Sequence, residues 1–124
     1  MNKIFENKNI FVEIHESEIP WLKIFTKQPT KEFSECDIET RTQIITSLDI
    51  IEREMLSFFE PTKINIASFG NYVPHVHFHI MARFDSDSYF PEPMWGAKMR
   101  EGTYELRNFD YFIKNLIQKL ESLN

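Results

Sequence analysis

The stretch His75-Val76-His77-Phe78-His79-Ile80-Met81-Ala82-Arg83-Phe84 alternates two kinds of residue, and its reading decides the fold. Side chains of an extended strand point in turn to opposite faces. Val76, Phe78, Ile80, Ala82 and Phe84 therefore share one face, and His75, His77, His79, Met81 and Arg83 share the other. The first set is wholly apolar and must meet a core. The second sets three imidazoles in a row beside a guanidinium, and three of the four histidines of the chain fall within residues 75–79.

Working outward, a short strand is predicted from Ile64 to Phe69, a turn at Gly70-Asn71, and the histidine strand from about Val73 to Phe84, so that the two pair as neighbours. Further upstream, Ile10 to His15 and Trp21 to Thr26 read as strands of an antiparallel hairpin, joined through Glu16-Ser17-Glu18 and Pro20. Between the two strand regions the period changes. From Asp37 to about Phe59, residues Arg41, Ile45, Leu48, Glu52, Met55, Leu56 and Phe59 recur at helical spacing, with Ser34 or Asp37 as the cap and Pro61 just past the end. After the histidine strand comes an irregular, Pro-containing stretch from Asp85 to Met94, ending in Trp95-Gly96. A last helix from about Asn108 to Leu123 lines up Phe109, Phe112, Ile113, Leu116, Leu120 and Leu123. Strands and helices mix without a βαβ rhythm, which predicts an α+β fold: an antiparallel sheet with two main helices.

Composition bounds the function. A chain of 124 residues with no repeat, linker or biased tract is expected to be one domain spanning 1–124. Fourteen basic against nineteen acidic residues give a net charge of -5, and with no cationic run this argues against long nucleic acid while leaving room for a small anionic ligand. The single Cys36 forms no internal disulfide, and no nearby base marks it as a reactive thiol. No apolar stretch approaches the roughly 18 residues of a membrane span, and Met1-Asn2-Lys3-Ile4-Phe5-Glu6 lacks the apolar region of a signal peptide, so the expected address is the cytoplasm. The 12 phenylalanines imply an aromatic-rich core.

The chemistry resides in the histidines. Neutral imidazole is a competent nucleophile at physiological pH and can relay protons, its neighbours two residues away can donate to a leaving group or fix its tautomer, and Arg83 can supply charge to an anionic substrate. Such an array suits phosphoryl chemistry. Two other classes compete: a metal-binding protein using the His75/His77/His79 face, and a nucleotide-binding module with little turnover. Three alternating ligands span roughly 13 Å between the outer Cα atoms of an extended strand, which is awkward for a single ion. No Cys-x-x-Cys or His-Glu-x-x-His pair accompanies them, so no metal is expected to be built in. His15 is read as structural or surface, and Lys98 and Arg100 as a solvated face.

His75-Val76-His77-Phe78-His79-Ile80-Met81 resembles the His-φ-His-φ-His-φ-φ signature (φ apolar) of the histidine triad, or HIT, superfamily of nucleotide hydrolases and transferases. Ile19-Pro20-Trp21-Leu22, Ile64 to Pro74, and Arg83-Phe84 followed by Phe90-Pro91-Glu92-Pro93-Met94-Trp95-Gly96 are similar to its bacterial diadenosine tetraphosphate hydrolase-like branch. The resemblance implies a HIT-like meander sheet, a homodimer, and attack on a nucleotide α-phosphate by the middle histidine, His77. It makes His79 a hydrogen-bond partner near the leaving or bridging oxygen and His75 a residue that orients the array. Gly70 and Asn71 match the phosphate loop, and Trp95, in a tail that lies near the site in that branch, either stacks on a base or closes the pocket, or anchors its loop on the core. The substrate it implies is a nucleoside polyphosphate or phosphoramidate, with a divalent ion such as Mg accompanying a polyphosphate. Where other branches carry Gly-x-Ser/Thr in the phosphate loop, this chain has Gly70-Asn71-Tyr72.

Overall fold

A computed structural model describes residues 2–124; Met1, which opens both the leader reading and the 1–124 domain, lies outside them. Five strands form one sheet: β1 (Lys3–Glu6), β2 (Ile10–Ile14), β3 (Trp21–Thr26), β4 (Lys63–Ala67) and β5 (His77–Arg83). Two helices, α1 (Ile38–Phe59) and α2 (Phe109–Leu120), complete an α+β architecture. The strand order is β1-β2-β3-β5-β4, and every neighbouring pair is antiparallel. Strand β1 had no sequence signal beyond four residues, and it enters the sheet by pairing with β2.

Helix α1 starts where Asp37 accepts a hydrogen bond from the Thr40 backbone N–H at 2.8 Å, which satisfies one of the free donors of the first turn. It stops at Glu60, held at φ 48°, immediately before Pro61. Its buried stripe is Thr40, Ile44, Ser47, Leu48, Ile51 and Met55. The stripe is therefore turned by about one residue from the expected Arg41-Ile45-Leu48-Glu52 line, and Ile45 and Leu56 are exposed. Together with Phe112, Ile113, Leu116 and Leu120 of α2, these side chains cover the face of the sheet made by Ile10, Val12, Leu22, Ile24, Ile80 and Ala82. Burying each such residue contributes about 1.5–3 kcal/mol, so this one layer accounts for most of the hydrophobic stabilisation. No helix is long and apolar enough to cross a membrane among the described residues.

The histidine strand is shorter than expected. It begins at His77, because Pro74 has no N–H for a ladder and the His75 N–H turns back onto Val73 O at 2.8 Å. The preceding segment is a loop over residues 68–76 instead of a tight Gly70-Asn71 turn. Val76 still anchors to the sheet edge, donating to Thr30 O at 2.7 Å and accepting from the Thr26 N–H at 3.3 Å.

Candidate active site

Strand register decides which side chains meet on the face turned away from the helices. Phe11 pairs with Phe25 and Phe25 with His77, while Glu13 pairs with Lys23 and Lys23 with His79. The first row stacks its rings like cards: Phe11 and Phe25 lie 4.9 Å apart at 7°, Phe25 and His77 4.9 Å apart at 19°. One face of the His77 ring is thereby held, and the ring cannot swing toward β2.

The His77 ring is fixed in rotation as well. Its Nδ1 lies 2.7 Å from the backbone carbonyl of His75. A carbonyl can only accept, so Nδ1 carries a proton, and in the neutral ring Nε2 carries the free lone pair. His79 is held in the opposite sense. The indole Nε1–H of Trp21 donates to His79 Nδ1 at 3.0 Å, and an indole nitrogen can only donate, so neutral His79 carries its proton on Nε2. The two rings sit 5.1 Å apart at 68°. One presents a bare nitrogen and the other an N–H, side by side. Burial, reinforced by His77, Lys23 and His15 nearby, pushes the His79 pKa down to about 4, so the ring is neutral at physiological pH.

Both imidazoles line a cleft of about 280 Å³ closed by the 69–73 loop and by Trp95. Gly70 turns that loop at φ 75°, a conformation that costs a residue with a Cβ roughly 1 kcal/mol, and Asn71 lies beside it at the mouth. Trp95 stands edge-on to His79 at 4.8 Å and to Phe69 at 4.9 Å. His77, His79, Gly70, Asn71 and Trp95 are thus brought together.

Two expected site residues are placed elsewhere. The His75 side chain is off the strand: its Nε2 meets Thr26 O at 2.7 Å and Thr26 Oγ1 at 2.9 Å, and it does not line the cleft. Only its carbonyl reaches His77. Arg83 does not line the cleft. It is 1% exposed and its guanidinium is fully engaged, with Nε and Nη2 donating to both oxygens of Asp87 at 3.0 and 3.1 Å and Nη1 donating to Asn65 at 2.9 Å. Asp87 also accepts from the N–H groups of Phe84, Tyr89 and Phe90, which fastens the irregular segment over the end of β5. Alternation placed Arg83 on the correct face, but that face is covered at this end of the strand.

His15 is half-buried and packs tilted against Trp21, ring centroids 4.0 Å apart at 31°, outside the cleft. Phe25, Trp21 and Phe69 were not singled out from the sequence as site residues. The first two follow from the register of β3 on β5, which the sequence does not state. Among the described residues no group of three or more His, Cys, Asp or Glu side chains is placed to hold a metal ion.

An imidazole nitrogen beside an imidazole N–H at the floor of an aromatic cleft marks the candidate site of this α+β scaffold. The HIT domain family matches residues 2–86, and the chain belongs to this histidine triad family of nucleotide-binding hydrolases and transferases. A histidine triad protein from Bradyrhizobium japonicum is 28% identical, with 95% of this chain and 89% of that one covered at a TM-score of 0.78. One from Marinobacter aquaeolei is 22% identical over 95% and 89%, at 0.79. The diadenosine triphosphate hydrolase of Plasmodium falciparum shares the fold at greater distance, 18% identical over 98% of this chain and 73% of that one, at 0.59. Comparison with curated proteins gives no match.

Proposed function

We propose that the protein cleaves a nucleotide at its α-phosphate, as a hydrolase or nucleotidyl transferase, through a covalent nucleotidyl intermediate on His77. The observation that carries this reading is the opposite protonation of the two neighbouring rings, with Nε2 bare on His77 and protonated on His79. In the first step the His77 Nε2 lone pair forms a bond to the α-phosphorus, and the bond to the bridging oxygen or nitrogen breaks, the leaving group taking the electron pair; a phosphate departs as its anion, and a leaving nitrogen takes a proton from water and departs as the neutral amine. The His75 carbonyl stabilises the imidazolium character that develops on His77. His79 acts as a hydrogen-bond donor to the charge building on the leaving atom and does not give up its proton outright, since a neutral imidazole is far too weak an acid. In the second step water attacks phosphorus, the N–P bond breaks with its electron pair returning to His77 Nε2, the proton of the attacking water passes to solvent, and the nucleoside monophosphate leaves. Backbone donors of the Gly70 turn and the Asn71 amide stabilise the phosphoryl oxygens, and Trp95 stacks on a base or closes the cleft.

The substrate in this reading is a nucleoside polyphosphate of the diadenosine tetraphosphate type or a nucleoside phosphoramidate. The Plasmodium falciparum hydrolase on the same fold supports the first. A divalent ion such as Mg enters as the counter-ion of the polyphosphate, held by phosphate oxygens. The protein works in the cytoplasm as a homodimer. Support for pairing comes from β4, a sheet edge with the apolar Ile66 and the neighbouring Leu56 exposed.

The test is release of adenosine monophosphate from diadenosine tetraphosphate and from an adenosine phosphoramidate, with and without chelator. His77→Ala is expected to lose roughly 10³-fold or more in kcat while keeping its fold and most of its nucleotide affinity. Wild-type rates in His77→Ala would overturn the nucleophile, and nucleotide binding without turnover in the native protein would make it a binding module.

A further inference from the structure

Buried Trp21 has a role that packing alone does not require. Its indole is 6% exposed and clamped from two sides, by the tilted His15 ring at 4.0 Å and by the edge of Trp95 at 5.2 Å. A buried indole N–H needs an acceptor, and the acceptor here is His79 Nδ1 at 3.0 Å, an atom that in a solvated histidine carries the proton part of the time. Free neutral imidazole exchanges between two tautomers, and only one of them places N–H on the side that lines the cleft. The tryptophan removes the other.

We infer that Trp21 is the positioning residue of the site: by occupying His79 Nδ1 with a donor that cannot reverse its role, it locks the Nε2–H tautomer that faces the substrate. This rests on the reaction proposed above for its catalytic consequence, but the tautomer itself belongs to the free protein. A proton on Nδ1 is blocked in two ways. The indole hydrogen already lies on that nitrogen, and a doubly protonated ring would bring a cation against His77, Lys23 and His15, the titratable groups that face it. His15 carries no proton to the site. Its ring lies 6.4 Å from that of His79 and acts by holding the indole in place.

The test uses two variants of the full chain. Trp21→Phe removes the N–H but also part of the ring, so the second replaces Trp21 site-specifically with 3-benzothienylalanine, which keeps the bicyclic shape and puts sulfur in place of N–H. Nitrogen-15 NMR of the histidine side chains in the unliganded protein is expected to show wild-type His79 protonated at Nε2 alone. In the benzothienyl variant the two nitrogens should show averaged, exchanging signals. With substrate, kcat is expected to fall about tenfold at nearly constant KM, and the acid limb of the kcat profile to move up by about one pH unit, as Nδ1 becomes free to take a proton. A fully Nε2-protonated His79 in the benzothienyl variant would overturn the inference, as would a wild-type kcat and pH profile. If the native protein turns over no nucleotide, the reaction proposed above fails, and the nitrogen signals still decide the role of Trp21.

Discussion

At the scale of single residues, the three histidines of the motif are three different devices. His77 is gripped by Phe25 on its face and by a carbonyl at Nδ1, His79 is held by an indole, and His75 serves through its backbone. Any residue supplies a carbonyl, so the His75 side chain matters only for tying that carbonyl to Thr26. His75→Ala is accordingly expected to lower kcat about tenfold, against roughly 10³-fold or more for His77→Ala, in the same steady-state assay; equal losses would mean that the His75 ring itself takes part. Protonation of His79 also links the site to stability. Its folded pKa, about 4, lies below the ordinary value of 6.5, so between these values the unfolded chain binds more protons than the folded one. Stability is therefore full above about pH 6.5 and is lost as the pH falls toward 4, by at most on the order of 3 kcal/mol. Urea unfolding of the wild type and of His79→Phe across that range should show the wild type losing the larger share; parallel curves would contradict it.

At the scale of elements, alternation gives the histidine stretch its faces but not its extent. Alternation identifies which residues share a side, and it placed Ile80 and Ala82 in the core and His77 and His79 opposite. It does not say what covers the second side. Residues 85–95 fold back over Met81 and Arg83, a contact between distant parts of the chain with no local signal, and so Arg83 becomes the centre of a buried ion pair instead of a ligand for substrate. The start of β5 at His77 has a local cause that the sequence does carry, since Pro74 cannot donate to a ladder. Helix ends were legible from Asp37 and Pro61, and the aromatic clamp was not, because it depends on the pairing of β3 with β5. The buried pair makes its own prediction. Burial pushes the Asp87 carboxyl up, but the Arg83 guanidinium and three backbone N–H groups outweigh it and hold the carboxyl below its usual range. Asp87→Asn should cost about 3–5 kcal/mol in denaturant unfolding, because it strands a buried guanidinium. A loss under about 1 kcal/mol would mean that the segment over β5 rearranges to hydrate Arg83.

At the scale of the whole molecule, one sheet serves two purposes. Its helix-covered face supplies the stability that lets the opposite face hold two imidazoles in defined tautomers, and a chain with a net charge of -5 presents to its ligand an aromatic cleft with hydrogen-bond donors. The central claim is that phosphorus is passed to His77 before it is passed to water. Each displacement at phosphorus inverts configuration, so two displacements restore it. The most direct test is hydrolysis, in oxygen-18 water, of a substrate made chiral at the α-phosphorus by one sulfur. A nucleotidyl-His77 intermediate predicts net retention in the released nucleoside phosphorothioate. Net inversion would show that water attacks directly and that His77 is not the nucleophile.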